Sequence, residues 1–318
     1  MKLNVKIYGI IFFLFHNITI NAQQSESKVL SGFYFGLNPP GETPELFAEN
    51  IITKNYELHG TPVFTSDLKE IYWGPMGNDR CNEKTDEILF MKLIDNIWTE
   101  PEVVSFSSTF FDSQDPSISP DGKRIYFTTH RPTGLFSFNF SEKIMYVERE
   151  EDGWSDPESV GDDVNSMFRH WQVSVSSNYN LYFRADKESV EEPGIYVSKY
   201  IDGEYQKPER LPDEINSGNT TPYDPYSPYI APDESYIIFV RTMNETGDDL
   251  FISFKDSNHK WTQAVNMGNK INSPYHDLCP TVTPDGKYLF FLSQRDGGSY
   301  AYWVDANIIE KLKSTIIT

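Results

Sequence analysis

One segment of this 318-residue chain occurs twice in similar form, and weaker copies of it recur along the sequence. The stretch from Asp115 to Phe127 reads DPSISPDGKRIYF, and the stretch from Cys279 to Phe291 reads CPTVTPDGKYLFF. Each copy joins two short runs of β-branched and aromatic residues through a tight turn. A repeat of about fifty residues built from strands and turns is typical of a β-propeller.

Five copies align on the residue that opens the first strand of each unit: Pro62, Pro116, Gln172, Pro228 and Pro280. Each unit continues through a turn, a second strand and a third strand. In the best-defined turns proline fixes φ, aspartate bonds to its own backbone, and glycine accepts a positive φ. An aromatic marker closes the first four units, and we expect it to cover the apolar face between neighbouring sheets: Trp98, Trp154, Tyr205 and Trp261.

The fifth unit lacks this closing tail, because the chain ends soon after Asp305. The apolar stretch from Leu46 to Ile52 lies before the first unit and has no partner of its own. If it supplied the outer strand of the last sheet, the ring would close and no sheet edge would be left in water. The sequence therefore predicts an all-β fold, a five-bladed β-propeller closed by an N-terminal strand. A six-bladed ring is the alternative, but residues 31–56 are too few for another blade.

The sequence divides into four segments. Residues 1–22 read as a signal peptide, since Lys2 and Lys6 precede an apolar run and Ala22 offers a small residue at the cut. Residues 23–37 form an N-terminal extension, residues 38–310 the β-propeller domain, and residues 311–318 a C-terminal tail. We expect an exported protein, periplasmic or extracellular, with no membrane insertion.

Charge and cysteine content narrow the range of partners. The chain has 27 basic and 47 acidic residues, a formal net charge of −20. Nucleic acid and anionic lipid both require positive charge, so neither is expected as a partner. We expect a monomer without a metal ion or other cofactor. Cys81 and Cys279 are predicted to lie on the same face, so they could form a disulfide that locks the ring; two unpaired thiols are the alternative.

The two best copies, from Ser119 to Phe127 and from Thr283 to Phe291, resemble the PD40, or WD40-like, repeat of TolB-type β-propellers in exported bacterial proteins. The resemblance covers about residues 38–310. It implies a propeller in the cell envelope, but it leaves the activity open, because such repeats serve scaffolds, partner-binding proteins and some enzymes. The turns at 66–68 and 176–179 depart from the Pro-Asp-Gly pattern.

The loops that lead into the first strands are unusually polar, and loops on a rigid scaffold commonly carry binding groups. The candidate ligand-binding residues are His59, Asp115, Arg169, His170, Trp171, Asp224, Tyr226, His276 and Asp277, with Asp112 beside them. The alternative is that these side chains only satisfy the backbone of their own loops. Arginines also recur after the second strands, and we interpret them as structural partners of nearby acids rather than an anion-binding collar: Arg131, Arg184, Arg241 and Arg295.

These observations favour a non-catalytic propeller that binds a protein or glycan of the envelope through its channel mouth. The alternative is a glycoside-acting enzyme, since sugar cleavage uses paired carboxylates and Asp115, Asp224 and Asp277 are the candidates by position. No local motif of a nucleophile elbow, phosphate loop or zinc helix is present in the sequence. A third interpretation is a structural member of an envelope assembly.

Overall fold

The computed structural model of the chain describes residues 29–52, 57–76, 86–107, 111–132, 142–167, 172–186, 190–216, 225–243 and 247–317. In these ranges the chain forms five antiparallel sheets, each with four strands in succession from the centre outward. This arrangement is a five-bladed β-propeller. The predicted fold class is therefore confirmed, and the six-bladed alternative is wrong. The predicted signal peptide, residues 1–22, lies outside the described residues.

The blades are described by their strands from the inner to the outer position. Blade 1 contains Val63–Phe64, Glu70–Trp73, Leu89–Ile94 and Glu102–Val103. Blade 2 contains Gln114–Ile118, Arg124–Thr129, Lys143–Glu150 and Glu158–Ser159. Blade 3 contains Ser174–Val175, Leu181–Ala185, Gly194–Ser198 and Glu209–Arg210, and blade 4 contains Tyr226–Ile230, Tyr236–Thr242, Asp248–Phe254 and Val265–Asn266. Blade 5 contains Asp277–Val282, Tyr288–Ser293, Tyr300–Asp305 and, as its outer strand, Glu45–Leu46.

Short hairpins and helices connect these strands. The hairpin strands are Ile97–Trp98 in blade 1, Gly153–Trp154 in blade 2, and the pair Tyr200–Ile201 and Glu204–Tyr205 in blade 3. A 3₁₀ turn covers Phe33–Gly36. The described α-helices are Glu49–Ile52, Asp162–Asn165, Asp213–Asn216 and Asn307–Ile316.

The ring is closed by an early segment paired with the last blade, as the sequence predicts. Glu45 pairs with Trp303, Leu46 pairs with Tyr302, and the Phe47 N–H donates to the Ala301 carbonyl at 2.8 Å. The predicted strand is too long, however. Ala48 has a φ of 49°, in the left-handed region, and the chain leaves the sheet there to form the helix Glu49–Ile52.

Aromatic side chains fill the space between blade 5 and blade 1. We call this cluster the closing interface and define it by Tyr34, Phe47, Phe64, Phe290 and Trp303. Phe47 is fully buried, and its ring centroid lies 4.7 Å from that of Phe290 and 5.0 Å from that of Trp303. Tyr34 adds edge-to-face contacts to Phe64 from the extension that precedes the propeller. Rings packed in this way contribute through buried area and through their quadrupoles.

The aromatic markers connect each blade to the structure before it, as predicted. Trp154 of blade 2 donates its indole N–H to the Tyr72 hydroxyl of blade 1 at 3.0 Å. Tyr205 of blade 3 shares a 2.7 Å hydrogen bond with Tyr126 of blade 2. These contacts stabilise the interfaces between neighbouring blades.

Buried asparagines hold the ends of the third strands. Asn216 accepts a hydrogen bond from the Ile195 N–H at 2.8 Å and donates to the Ile195 carbonyl at 3.0 Å. Asn165 and Asn272 make the same pair of bonds to the third strands of blades 2 and 4. A buried backbone group needs such a partner, and one amide side chain can satisfy both an N–H and a carbonyl.

The hairpin turns between inner and second strands define the turn face of the propeller. Asp121 accepts hydrogen bonds from the Ser119 hydroxyl at 2.7 Å and from the Lys123 N–H at 3.1 Å, and Gly122 has a φ of 72°. Where the repeat lacks glycine, Leu68 and Tyr179 adopt the same left-handed conformation. The Tyr179 side chain also holds its turn against the neighbouring blade, because its hydroxyl donates to Asp121 at 2.7 Å.

Candidate functional site

The opposite ends of the inner strands define the loop face, where the sequence places the candidate binding residues. Three of the inner strands have an irregular register near this face, between Gln114 and Ser117, Tyr226 and Tyr229, and Leu278 and Thr281. At each irregularity one residue has a positive φ: Asp115, Ser227 and Cys279. Such a bulge bends the strand and changes where its side chains point.

The first histidine–carboxylate pair at this face joins blades 1 and 2. His59 Nδ1 donates to Asp115 Oδ1 at 2.9 Å, and the Asp115 carboxylate is almost fully buried. Its charge raises the pKa of His59 from 6.5 to about 9, with further contributions from Asp86 and Glu142. A Cβ at Gly60 would lie 2.5 Å from Asp115 Oδ1, so only glycine fits beside this carboxylate. His59 and Asp115 therefore form a charged pair at neutral pH.

A second pair lies within blade 2 and is half-exposed. His130 Nδ1 donates to Asp112 Oδ2 at 2.7 Å, and the His130 N–H donates to Asp112 Oδ1 at 3.0 Å. The hydrogen bond to Asp112 raises the pKa of His130. His130 was not among the residues predicted from the sequence. The antiparallel register of the hairpin could have indicated it. Gln114 pairs with Thr128, so two positions further toward the loop face Asp112 lies opposite His130.

A third pair joins blades 4 and 5. His276 Nδ1 donates to Asp248 Oδ2 at 2.5 Å, and the Thr242 hydroxyl donates to the other oxygen of the same carboxylate at 2.7 Å. His276 is half-exposed, and its neighbour Tyr275 is also exposed. The sequence indicated His276 but not Asp248, which opens a third strand and precedes it by 28 residues. We call the His130–Asp112 and His276–Asp248 pairs the mouth pairs.

Asp277, although predicted for the mouth, is fully buried. Its carboxylate accepts hydrogen bonds from Arg295 Nη2 at 2.9 Å and from the Ser273 N–H at 2.5 Å. Arg295 Nη2 also donates to the Ile271 carbonyl at 2.7 Å. These contacts hold the end of blade 4 against blade 5, and a carboxylate held in this way does not face a ligand.

The other recurring arginines have a similar structural role. Arg131 donates to the Phe106 carbonyl at 3.1 Å, and Arg241 donates to the Ile215 carbonyl at 2.7 Å. In both cases the carbonyl belongs to the end of the preceding blade. Arg184 is fully buried, with Nη1 3.6 Å from Asp186. These contacts support the structural interpretation of the arginines over an anion-binding collar.

The remaining predicted residues have different positions. Tyr226 is partly buried at the start of the inner strand of blade 4. Arg169, His170, Trp171, Asp224 and Cys81 lie outside the described residues. Cys279 is a free, buried thiol whose pKa is raised by burial. The disulfide that the sequence allowed between Cys279 and Cys81 stays a prediction, because Cys81 lies outside the described residues.

The channel between the inner strands is narrow. Its cavity has a volume of about 130 Å³, and its wall contains proline, valine, serine and threonine side chains such as Pro116, Ser117, Val175 and Thr281. Within the described ranges no three His, Cys, Asp or Glu side chains are grouped so that they could hold a metal ion. None of the described helices combines the length and the apolar character needed to cross a membrane.

Comparisons with known proteins identify the fold. No family model matches the sequence, and no curated protein matches it. Among solved structures, TolB from Acinetobacter baumannii matches with a TM-score of 0.51 and 14% identity over 78% of this chain and 51% of that chain. The endo-arabinase from Bacteroides thetaiotaomicron VPI-5482 matches with a TM-score of 0.53 and 11% identity over 80% of this chain and 95% of that chain.

A putative TolB from Agrobacterium tumefaciens also matches, with a TM-score of 0.48 and 18% identity over 74% of this chain and 70% of that chain. The chain spans about half the length of the Acinetobacter TolB. TolB and an endo-arabinase thus share the propeller fold with this chain at low identity. The comparisons therefore show the fold alone, and the activity has to be argued from the site.

Proposed function

We propose that this chain is an exported, non-catalytic β-propeller of the PD40 type that binds a protein or glycan of the cell envelope at its loop-face mouth. The observation that carries the proposal is the pair of half-exposed histidines, each oriented by a carboxylate. In the described part of the chain His130 and His276 use Nδ1 for this contact, and Nε2 makes no hydrogen bond. An imidazole fixed in this way presents its second nitrogen to a ligand.

The arrangement suits recognition of a polar partner. A histidine that donates from Nδ1 to a carboxylate can donate from Nε2 when it is protonated and accept there when it is neutral. Carbonyl, hydroxyl and carboxylate groups of a protein or glycan can all meet such a nitrogen. The net charge of −20 disfavours nucleic acid and anionic lipid, which need a basic surface.

Two features argue against the glycoside-acting alternative. Sugar hydrolysis requires one carboxyl group as the general acid and a second as the base or nucleophile, each directed at the sugar. Asp115 is held by His59, and Asp277 is buried against Arg295. The third candidate, Asp224, lies outside the described residues. The likeness to an endo-arabinase at 11% identity concerns the fold and adds nothing to this alternative.

The proposal is tested by ligand capture with matched histidine variants of the purified protein. Biotinylated wild type, His130→Asn and His276→Asn are compared on a glycan array and in cross-linked pull-downs from envelope extract. We expect both variants to lose about tenfold or more in affinity for the captured partner, because each removes an oriented donor or acceptor. Their melting temperatures should equal that of the wild type.

His259→Asn is the control, since His259 is exposed in a turn with a φ of 59° and asparagine tolerates that conformation. It should bind like the wild type. Equal capture by the wild type and both mouth variants would reject the mouth as the binding site. Release of reducing sugar from arabinan or xylan by the wild type would instead support the enzyme.

A further inference from the structure

A second concave surface lies on the turn face, between blades 4 and 5. It is a groove of about 400 Å³, lined by Tyr236, Tyr288, Lys287, Asp305, Glu310 and Pro39. Its volume falls in the range of small-ligand sites, about 300 to 1,000 Å³. The inner strand of blade 5 separates it from the mouth, because His276 precedes that strand and Lys287 follows the turn at its other end.

The two tyrosines of the groove are held in place by other rings. Tyr288 has its ring centroid 5.0 Å from that of Tyr34 and 5.0 Å from that of Trp303. Tyr236 lies 6.1 Å from Phe254 and 6.3 Å from Tyr229 between ring centroids. Both side chains are partly exposed. Their orientation is therefore set before a ligand arrives, and little side-chain entropy is lost on binding.

The charged groups of the groove offer mainly acceptors. Asp305 accepts the N–H of Asn307 at 2.8 Å, which fixes its carboxylate at the start of the C-terminal helix. Glu310 is exposed one turn further along that helix. Lys287 is the cation of the groove, and its Nζ already lies 3.0 Å from Asp285 Oδ2. An anionic ligand would meet carboxylates here, so phosphates and acidic sugars are excluded.

We propose that this groove binds a neutral oligosaccharide. A sugar ring has an apolar face that can pack on a fixed aromatic ring, and hydroxyl groups at its edge that donate to carboxylates. A purely apolar ligand would desolvate Asp305, Glu310 and Lys287 without replacing their hydrogen bonds to water. A basic peptide is the competing ligand, because Lys287 is already paired with Asp285, but each of its long side chains would lose conformational entropy that a rigid sugar ring does not lose.

The test uses neutral hexasaccharides of glucose, xylose, arabinose and N-acetylglucosamine as probes, titrated calorimetrically into the purified full-length protein. We expect at least one probe to bind. Tyr288→Ala should weaken that binding by about tenfold, because it removes the aromatic ring on which a sugar would pack. Tyr288→Phe keeps the ring and should bind within about threefold of the wild type.

Tyr288→Ala also removes a ring contact with Trp303 and could therefore destabilise the fold. A second variant tests the groove without removing that contact. Asn307→Trp fills the groove from an exposed position at the start of the helix and should block binding with an unchanged melting temperature. Tyr275→Ala, on the loop face, is the matched control and should bind the probe like the wild type. His276→Asn should also bind it fully, which separates this site from the proposed mouth.

Three results would overturn the proposal. The first is that no neutral hexasaccharide binds. The second is that Asn307→Trp and Tyr288→Ala bind as tightly as the wild type. The third is that hexalysine binds instead, and that Glu310→Gln removes its binding, which would make the groove a site for basic peptides.

Discussion

The closing interface and the loop-face mouth differ in how they use their side chains. At the closing interface Phe47, Phe64, Phe290 and Trp303 are almost completely buried, and they come from opposite ends of the chain. At the mouth, the two histidines are half-exposed and their partners are carboxylates. The first region gains free energy from buried apolar area, whereas exposed ion pairs contribute little.

This difference implies that stability and recognition can be changed separately. Substitutions in the closing interface should reduce the free energy of unfolding and leave the chemistry of the mouth intact in the folded fraction. Substitutions in the mouth pairs should weaken ligand binding and leave the free energy of unfolding almost unchanged. The position of a residue in the ring therefore predicts which measurement it will affect.

The largest expected effect is that of Phe47→Ala. It removes a fully buried ring from the closing interface and should lower the free energy of unfolding by about 3–5 kcal/mol. Guanidinium unfolding followed by tryptophan fluorescence measures this. Phe33→Ala is the control, because Phe33 is 53% exposed and its loss should change stability by no more than about 0.5 kcal/mol. A loss below about 1 kcal/mol for Phe47→Ala would mean that the ring does not depend on this closure.

Asp277→Ala should come next, and it tests whether a residue predicted for the mouth is structural. Its removal leaves the Arg295 guanidinium short of one partner and the Ser273 N–H without its acceptor, at a cost of about 3 kcal/mol. The exposed Asp163→Ala is a suitable control. If Asp277→Ala kept the wild-type free energy of unfolding but lost ligand capture, Asp277 would be a binding residue and not a structural one.

Asn216→Ala should lower the free energy of unfolding by about 2 kcal/mol. The change removes hydrogen bonds to the N–H and carbonyl of Ile195 and to the carbonyl of Leu211. Amide exchange at Ile195 should accelerate in parallel. Asn178→Ala, a turn variant with an exposed side chain, should leave that exchange rate unchanged. If the Ile195 amide exchanged as slowly in Asn216→Ala as in the wild type, the two hydrogen bonds between Asn216 and Ile195 would not be needed to hold the strand.

The His59–Asp115 pair should make stability depend on pH. The pKa of His59 is raised from 6.5 in the unfolded chain to about 9, so its contribution is complete below about pH 6.5 and is lost as the pH rises through about 9. Melting temperatures measured across this window should fall in the wild type and fall less in His59→Gln. His130→Gln should change the slope less, since His130 is half-exposed. Equal slopes in the wild type and His59→Gln would contradict the charged pair.

The smallest effect on stability is expected for His276→Asn. His276 is half-exposed, and its ion pair with Asp248 should contribute no more than about 0.5 kcal/mol. Of the stability variants described above, His276→Asn is also expected to lose the most ligand capture. Unfolding and ligand capture measured together therefore contrast it with Phe47→Ala. A drop in stability comparable to that of Phe47→Ala would remove the distinction between the two regions.

The repeat carried most of the information about the fold. Strand patterns and turn residues such as Asp121 and Gly122 act locally, so the sequence predicted the blades, their order and the closing strand. The helix Glu49–Ile52 was missed because the chain turns out of the sheet at Ala48, and alanine does not favour the left-handed φ that it has there. The contribution of Tyr34 was also missed, since it lies in an extension that does not follow the repeat.

The site was predicted less completely, because its contacts are tertiary. The polar loops indicated His59, Asp115 and His276, but nothing local in the sequence pairs His276 with Asp248. Asp277 shows that the sequence also failed to separate buried acids from exposed ones. An acid at the start of an inner strand looks the same in sequence whether it faces solvent or is buried against an arginine that follows the next strand, as Asp277 is.

The pairing of Leu46 with Tyr302 has a consequence for how the molecule is assembled. Leu46 is synthesised 256 residues before Tyr302, so the outer strand of blade 5 has to wait for the strand with which it pairs. Contacts so distant along the chain form slowly, and an unfinished circle exposes apolar edges in the meantime. The ring of blades can therefore close only after the strand Tyr300–Asp305 has been made, which places closure late in folding.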